Sequence, residues 1–183
     1  MRYASIRSLD VSNGENIGVS LFVQGCNRHC YNCFNPDTWD FNSGKEWNEE
    51  TKNKFLELID KPYIKRVSIL GGEPLAEQNL DDVLSLIKEI RISLPEKTIW
   101  LYTGYAWEKI MNDFENSKRW LQASWKHSAI TRCEIIKNVD ILVDGEYIDE
   151  QRDVTLKWRG SKNQRVIDVQ QSLAQNKIIL YCD

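Results

Sequence analysis

No stretch of this 183-residue chain approaches the ~18 consecutive apolar residues that mark a membrane-crossing helix. The opening Met1-Arg2-Tyr3-Ala4-Ser5-Ile6-Arg7-Ser8 lacks the apolar core of a secretion signal, so the expected setting is the soluble cytoplasm. A surplus of positive charge is also missing. Lys and Arg number 24 against 27 Asp and Glu, and a formal charge of −3 argues against general affinity for nucleic acid or anionic membrane. There is no internal repeat, low-complexity stretch or Gly/Ser/Pro-rich linker, so a single domain over 1–183 is expected. That length falls short of the ~250 residues of a complete eight-unit β/α barrel. Five cysteines, an odd number with three packed close together, suit a metal site in a reducing compartment better than a disulfide framework.

Apolar, β-rich segments alternate with stretches of helical periodicity. Strands are expected at 3–10, 18–24, 66–70, 98–102, 139–143 and 177–181. A helix is expected at 48–59, with Phe55, Leu56 and Ile59 on one side. The clearest helix is 79–92, where Leu80, Val83, Leu84, Ile87 and Ile90 recur at three- and four-residue steps and form a stripe that lies against a sheet. Such alternation predicts parallel strands joined by right-handed crossovers. With so few units, the expected fold is α/β, an open or partial β/α barrel. Segment 107–136 is longer than one crossover needs and sets Trp107, Trp120 and Trp125 among charged residues. It reads either as a helical pair with an aromatic packing seam or as a partner-docking surface.

Chemistry concentrates in Gly25-Cys26-Asn27-Arg28-His29-Cys30-Tyr31-Asn32-Cys33. The Cys-x3-Cys-x2-Cys spacing is one ligand short of a closed tetrahedral metal site. A four-iron cubane takes one thiolate per iron, so three cysteines leave one iron open to a ligand that is not protein. The loop follows strand 18–24, at the C-terminal strand end that forms the active face of β/α folds. One alternative is zinc held by the thiolates and His29, which suffers because His29 directly precedes Cys30. A ferredoxin-like electron-transfer cluster is the other. It needs a fourth cysteine, which only Cys133 could supply through a long loop; otherwise Cys133 and Cys182 are bystanders.

Directly after strand 66–70 stands Gly71-Gly72-Glu73-Pro74. Two glycines permit close backbone approach, and Glu73 adds a carboxylate beside backbone carbonyls, a combination suited to an ammonium group. Alone, this run is an ordinary strand-to-helix turn. One crossover unit after a three-cysteine loop, it is more specific.

Together these residues resemble the radical S-adenosylmethionine enzymes, whose hallmark is a three-cysteine loop followed by a Gly-Gly-Glu-Pro turn. Asn13-Gly14, Cys33-Phe34-Asn35, Thr38-Trp39, Tyr102-Thr103-Gly104-Tyr105, Val143-Asp144-Gly145 and Trp158-Arg159-Gly160-Ser161-Lys162-Asn163-Gln164-Arg165 extend the resemblance to the activases of anaerobic ribonucleoside-triphosphate reductase. The resemblance implies a [4Fe-4S] cluster on Cys26, Cys30 and Cys33 and S-adenosylmethionine on its open iron. Gly71, Gly72 and Glu73 would receive the methionyl ammonium. Asn32 and Phe34, flanking Cys33, would lie along the adenine, with Thr103 near the ribose or methionyl region. Asn32 departs from the pattern, since many such enzymes carry an aromatic residue there. Reductive cleavage would yield a 5′-deoxyadenosyl radical that takes hydrogen from a glycine of the reductase large subunit. Hydrogen-atom abstraction needs no general base, so no catalytic residue is assigned. A flavodoxin or ferredoxin would supply the electron. A different glycyl-radical enzyme or a small molecule as substrate, and a non-enzymatic zinc or iron-sulfur module, remain as alternatives. Asp144 reads as a turn-former, and 159–165 as a helix cap or as a contact for an anionic surface of the reductase.

Overall fold

Continuous apolar runs in the middle of the chain build the centre of one sheet. The computed structural model describes residues 1–119 and 122–182; Trp120 lies outside them. The strands are β1 (Arg2–Asp10), β2 (Gly18–Val23), β3 (Lys45–Glu46), β4 (Arg66–Gly71), β5 (Thr98–Tyr102), β6 (Ile141–Asp144), β7 (Arg165–Asp168) and β8 (Leu180–Cys182). They lie in the order β3-β1-β2-β4-β5-β6-β7-β8. Helices are α1 (Glu49–Ile59), α2 (Leu80–Ser93), α3 (Trp107–Asn116), α4 (Ala123–Lys137) and α5 (Val169–Gln175). The fold is therefore mixed α/β with an unclosed sheet.

Parallel pairing holds only among β2, β4, β5 and β6. β1 runs antiparallel to β2, because the connection 11–17 is shorter than the dozen or so residues a parallel crossover takes. β7 and β8 add antiparallel strands at the far side. The expectation of parallel strands is corrected at both margins, and β3, β7 and α5 were not expected. The described residues of segment 107–136 form a helical pair, α3 and α4, with Trp107 in the core and Trp125 57% exposed.

The two sheet faces differ. Val19, Leu21, Val67, Ile69, Ile99, Leu101 and Leu142 face the helices and join Phe55 and Ile59 of α1 and Leu80, Val83, Leu86, Ile87 and Ile90 of α2 in one core. Alternate residues face the other way. There Trp100, Ile141, Val143 and Val166 form a second cluster, with the Trp100 ring edge-on to Trp158 at 5.0 Å and to Tyr181 at 5.5 Å.

Arg66 is fully buried on this second face. Its guanidinium donates to the carbonyls of Asp10 (2.7 Å), Asn13 (2.6 Å) and Glu15 (3.1 Å), to the Asp10 carboxylate (3.3 Å) and to the Ser68 hydroxyl. Gly14, at φ +130°, leaves no room for a side chain, since a Cβ would lie 2.5 Å from Arg66 Cδ. The Asn13-Gly14 pair thus serves to wrap the β1–β2 connection around a buried cation.

Candidate active site

At the C-terminal ends of the parallel strands, on the face away from the helices, lies a cavity of about 530 Å³. Cys26, Cys30, Cys33, Phe34, Gly71, Gly72, Glu73 and Thr103 all line it. Asn32 is the one candidate site residue outside that lining: it is exposed, and its amide donates to Asp149 at 2.8 Å. Arg28, Trp39 and Tyr102 also line the cavity, beyond the ligand contacts that the sequence resemblance implies. Tyr102 closes a strand one residue before Thr103, and alternation alone places it on the cavity face.

The root of the cysteine loop is fixed by backbone bonds. Gly25 N–H donates to Thr38 O (2.8 Å) and Cys26 N–H to Trp39 O (3.0 Å), while the buried Gln24 amide holds the Asp37 and Asp40 carbonyls at 3.0 and 2.9 Å. Inside the loop, Arg28 N–H points at Cys26 Sγ (3.4 Å), a donor that favours the thiolate form there, and Asn35 N–H points at Cys33 Sγ (3.3 Å). Burial acts the other way: it pushes the Cys26 thiol up and the Cys30 thiol up to about 11. Such thiols ionise when a cation displaces their protons.

All three cysteines are free, and Cys33 is close enough to act electrostatically on both Cys26 and Cys30. Yet among the described residues no set of three or more His, Cys, Asp or Glu gathers on a single ion position. His29 stacks on Trp39 at 4.7 Å instead. Three free thiols on one cavity, two of them with N–H donors at sulfur, are a donor set of the kind that holds an iron-sulfur cluster.

The Gly-Gly-Glu-Pro turn is locked to that loop. Gly72 N–H donates to Val23 O (2.9 Å) and Glu73 N–H to Gly25 O (2.8 Å); a Cβ on Gly72 would lie 2.4 Å from Gly25 O. The buried Asn79 amide donates to Gln24 O (3.1 Å) and Glu73 O (3.0 Å), tying both turns to the start of α2. Glu73 itself is 1% exposed. Its carboxylate accepts from Thr103 Oγ1 (2.7 Å), Leu75 N–H (2.9 Å) and Gly104 N–H (2.8 Å). Burial still raises its pKa, against those donors and Arg28. Oε2, with one donor, keeps acceptor capacity.

Segment 145–164 crosses from β6 to β7 over the cysteine loop. Besides the Asn32–Asp149 bond, Tyr147 packs on Phe34 (5.0 Å) and Glu146 faces Cys30 Sγ at 3.7 Å. Asp144, buried at the end of β6, accepts from Trp107 N–H at the start of α3 and pairs with Arg165. It is a structural pin.

A family model described as a 4Fe-4S single cluster domain matches residues 12–167. The chain is similar to proteins named anaerobic ribonucleoside-triphosphate reductase-activating protein. It is 35% identical over 166 residues to that of Vibrio cholerae, covering 90% of this chain and 96% of the relative. The Escherichia coli K12 protein is 32% identical over 168 residues, covering 91% and 97%. That of Enterobacteria phage T4 is 34% identical over 167 residues, covering 91% and 93%.

Proposed function

Because this chain belongs to the family of anaerobic ribonucleoside-triphosphate reductase-activating proteins, with a 4Fe-4S domain, we propose that it activates such a reductase by radical S-adenosylmethionine chemistry. The observation that carries the reading is the meeting of Cys26, Cys30, Cys33 and Glu73 in one cavity at the ends of parallel strands. Cys26, Cys30 and Cys33 would hold the [4Fe-4S] cluster. Once reduced, such a cluster would supply the one electron needed to split S-adenosylmethionine into methionine and a 5′-deoxyadenosyl radical, the species that would take a hydrogen atom from a glycine Cα of the reductase.

The chain's own residues bind and orient. Gly71 and Gly72 bring the turn against the loop root, and Glu73 offers acceptor capacity to the methionyl ammonium. Thr103 fixes the Glu73 carboxylate. Phe34 supplies an apolar wall, braced by Tyr147, for the adenine, while Asn32 contributes through its backbone and through its tether to Asp149. The unclosed sheet, read as a partial β/α barrel in a single domain, leaves the cavity accessible to a protein loop. A flavodoxin- or ferredoxin-type donor in the cytoplasm would reduce the cluster. No helix among the described residues is long and apolar enough to cross a membrane.

The decisive experiment mixes reconstituted, reduced protein with adenosylmethionine and a candidate reductase. A glycyl-radical spin-resonance signal with stoichiometric deoxyadenosine is expected; cluster assembly without deoxyadenosine would leave only an electron-transfer module.

A further inference from the structure

The run 158–165 is accounted for residue by residue, with one exception. Trp158 packs on Trp100. Gly160 N–H and Ser161 N–H donate to Gln164 Oε1 at 2.9 and 3.2 Å, and Gln164 Nε2 donates to Gly145 O at 2.9 Å. Lys162 faces Asp153 at 3.6 Å, Asn163 donates to Glu146 O at 2.7 Å, and Arg165 pairs with Glu108 and Asp144. These bonds brace the segment itself.

Arg159 is left over. It lines the cavity, and its Nε and Nη1 are shielded from solvent with no hydrogen-bond partner among the described residues. Neither carboxylate of the lining pairs with it: Glu73 accepts from Thr103, Leu75 and Gly104, and Asp153 from Thr155 with Lys162 beside it. The other lining guanidiniums have ring partners, Arg28 over Tyr105 at 3.9 Å and Arg7 over Phe22 at 4.6 Å; Arg28 also has its Nε shielded without a hydrogen-bond partner, but only Arg159 has two such nitrogens and no ring beneath it among the described contacts. A guanidinium stays charged at any physiological pH, and buried N–H groups without acceptors are costly. Its counter-ion therefore arrives with the ligand.

We propose that Arg159 is the carboxylate anchor of this cavity and receives the α-carboxylate of the methionyl group of adenosylmethionine. The assignment rests on the reading above. An amino-acid zwitterion presents an ammonium and a carboxylate, and Glu73 and Arg159 supply one opposite charge for each. The guanidinium fork matches the two carboxylate oxygens. A residue reading an anionic surface of the reductase would keep its nitrogens exposed, whereas two of these are shielded.

The test measures equilibrium binding of adenosylmethionine and of decarboxylated adenosylmethionine to the cluster-loaded protein and to its Arg159→Ala and Arg159→Lys variants. Iron content and thermal unfolding verify each fold; Arg159→Lys carries the test if Arg159→Ala does not fold. For adenosylmethionine, Arg159→Ala raises Kd about ten- to a hundredfold and Arg159→Lys less, as expected on losing charge-assisted hydrogen bonds. For the decarboxylated ligand, each variant stays within about twofold of wild type on the same account. Equal weakening for both ligands would overturn the anchor in favour of a structural role. Unchanged adenosylmethionine binding with lost reductase association would overturn it in favour of docking. A wild-type protein that binds neither ligand would remove the parent reading, and the anchor with it.

Discussion

Glu73 shows at the residue scale how much the sequence reveals. Its place in a Gly-Gly-Glu-Pro turn after a strand marks it for the cavity, and there it lies. The sequence does not reveal that three donors already hold it, because Thr103, Leu75 and Gly104 reach it only through the fold. Substituting Glu73→Gln keeps the volume but sets an N–H opposite a donor, so stability should fall by about 1–3 kcal/mol in denaturant titration. Adenosylmethionine affinity should drop at least about tenfold with the iron content retained, as for loss of a charged acceptor. An unaltered Kd would take Glu73 out of the ligand's contacts. The place of the three cysteines on the same cavity was equally legible. Trp39, with a buried, unpartnered indole donor on the cavity, was not, since nothing local separates an aromatic wall from an aromatic core, whereas strand alternation points to Tyr102.

Among the elements, legibility follows apolar periodicity. The central strands and α2 were evident because both their surfaces or one full stripe are buried. β7 was obscured by its place directly behind a polar, amide-rich run, and β3 has two residues, too few to carry a pattern. The antiparallel direction of β1 is written in the loop length, which overrides the strand-helix alternation there. Arg165 shows what β7 does for the site: it clamps Glu108 of α3 and Asp144 of β6. The Arg165 contact lowers the Glu108 pKa from 4.5 to about 2. A depressed carboxylate contributes stability above its unfolded pKa and loses it as pH falls, here between 4.5 and about 2. Glu108 is 61% exposed, so solvent screening holds the contribution below about 1 kcal/mol. Unfolding midpoints followed across that window should fall more steeply in wild type than in Glu108→Gln; parallel curves would dissociate the clamp from acid stability.

For the molecule as a whole, the cavity is assembled from segments far apart in sequence, which is why its outline was not legible although its cysteines were. Residues 145–164 reach back to the cysteine loop through Asn32–Asp149 and Phe34–Tyr147. A ligand that binds only the folded state stabilises it by mass action. Removing iron by anaerobic chelation should therefore lower the melting temperature, and amide exchange should accelerate in 26–40 and 145–164 together while α2 stays protected. Acceleration confined to 26–40 would show that the crossing segment is independent of the loop.

The Asn79 carboxamide, holding Gln24 O and Glu73 O with one NH2 group, has a thermodynamic corollary. The gap between the cysteine-bearing turn and the Gly-Gly-Glu-Pro turn is preset before any small molecule arrives. Association then escapes the entropic toll of freezing two independent loops, and calorimetry should record a modest ordering penalty.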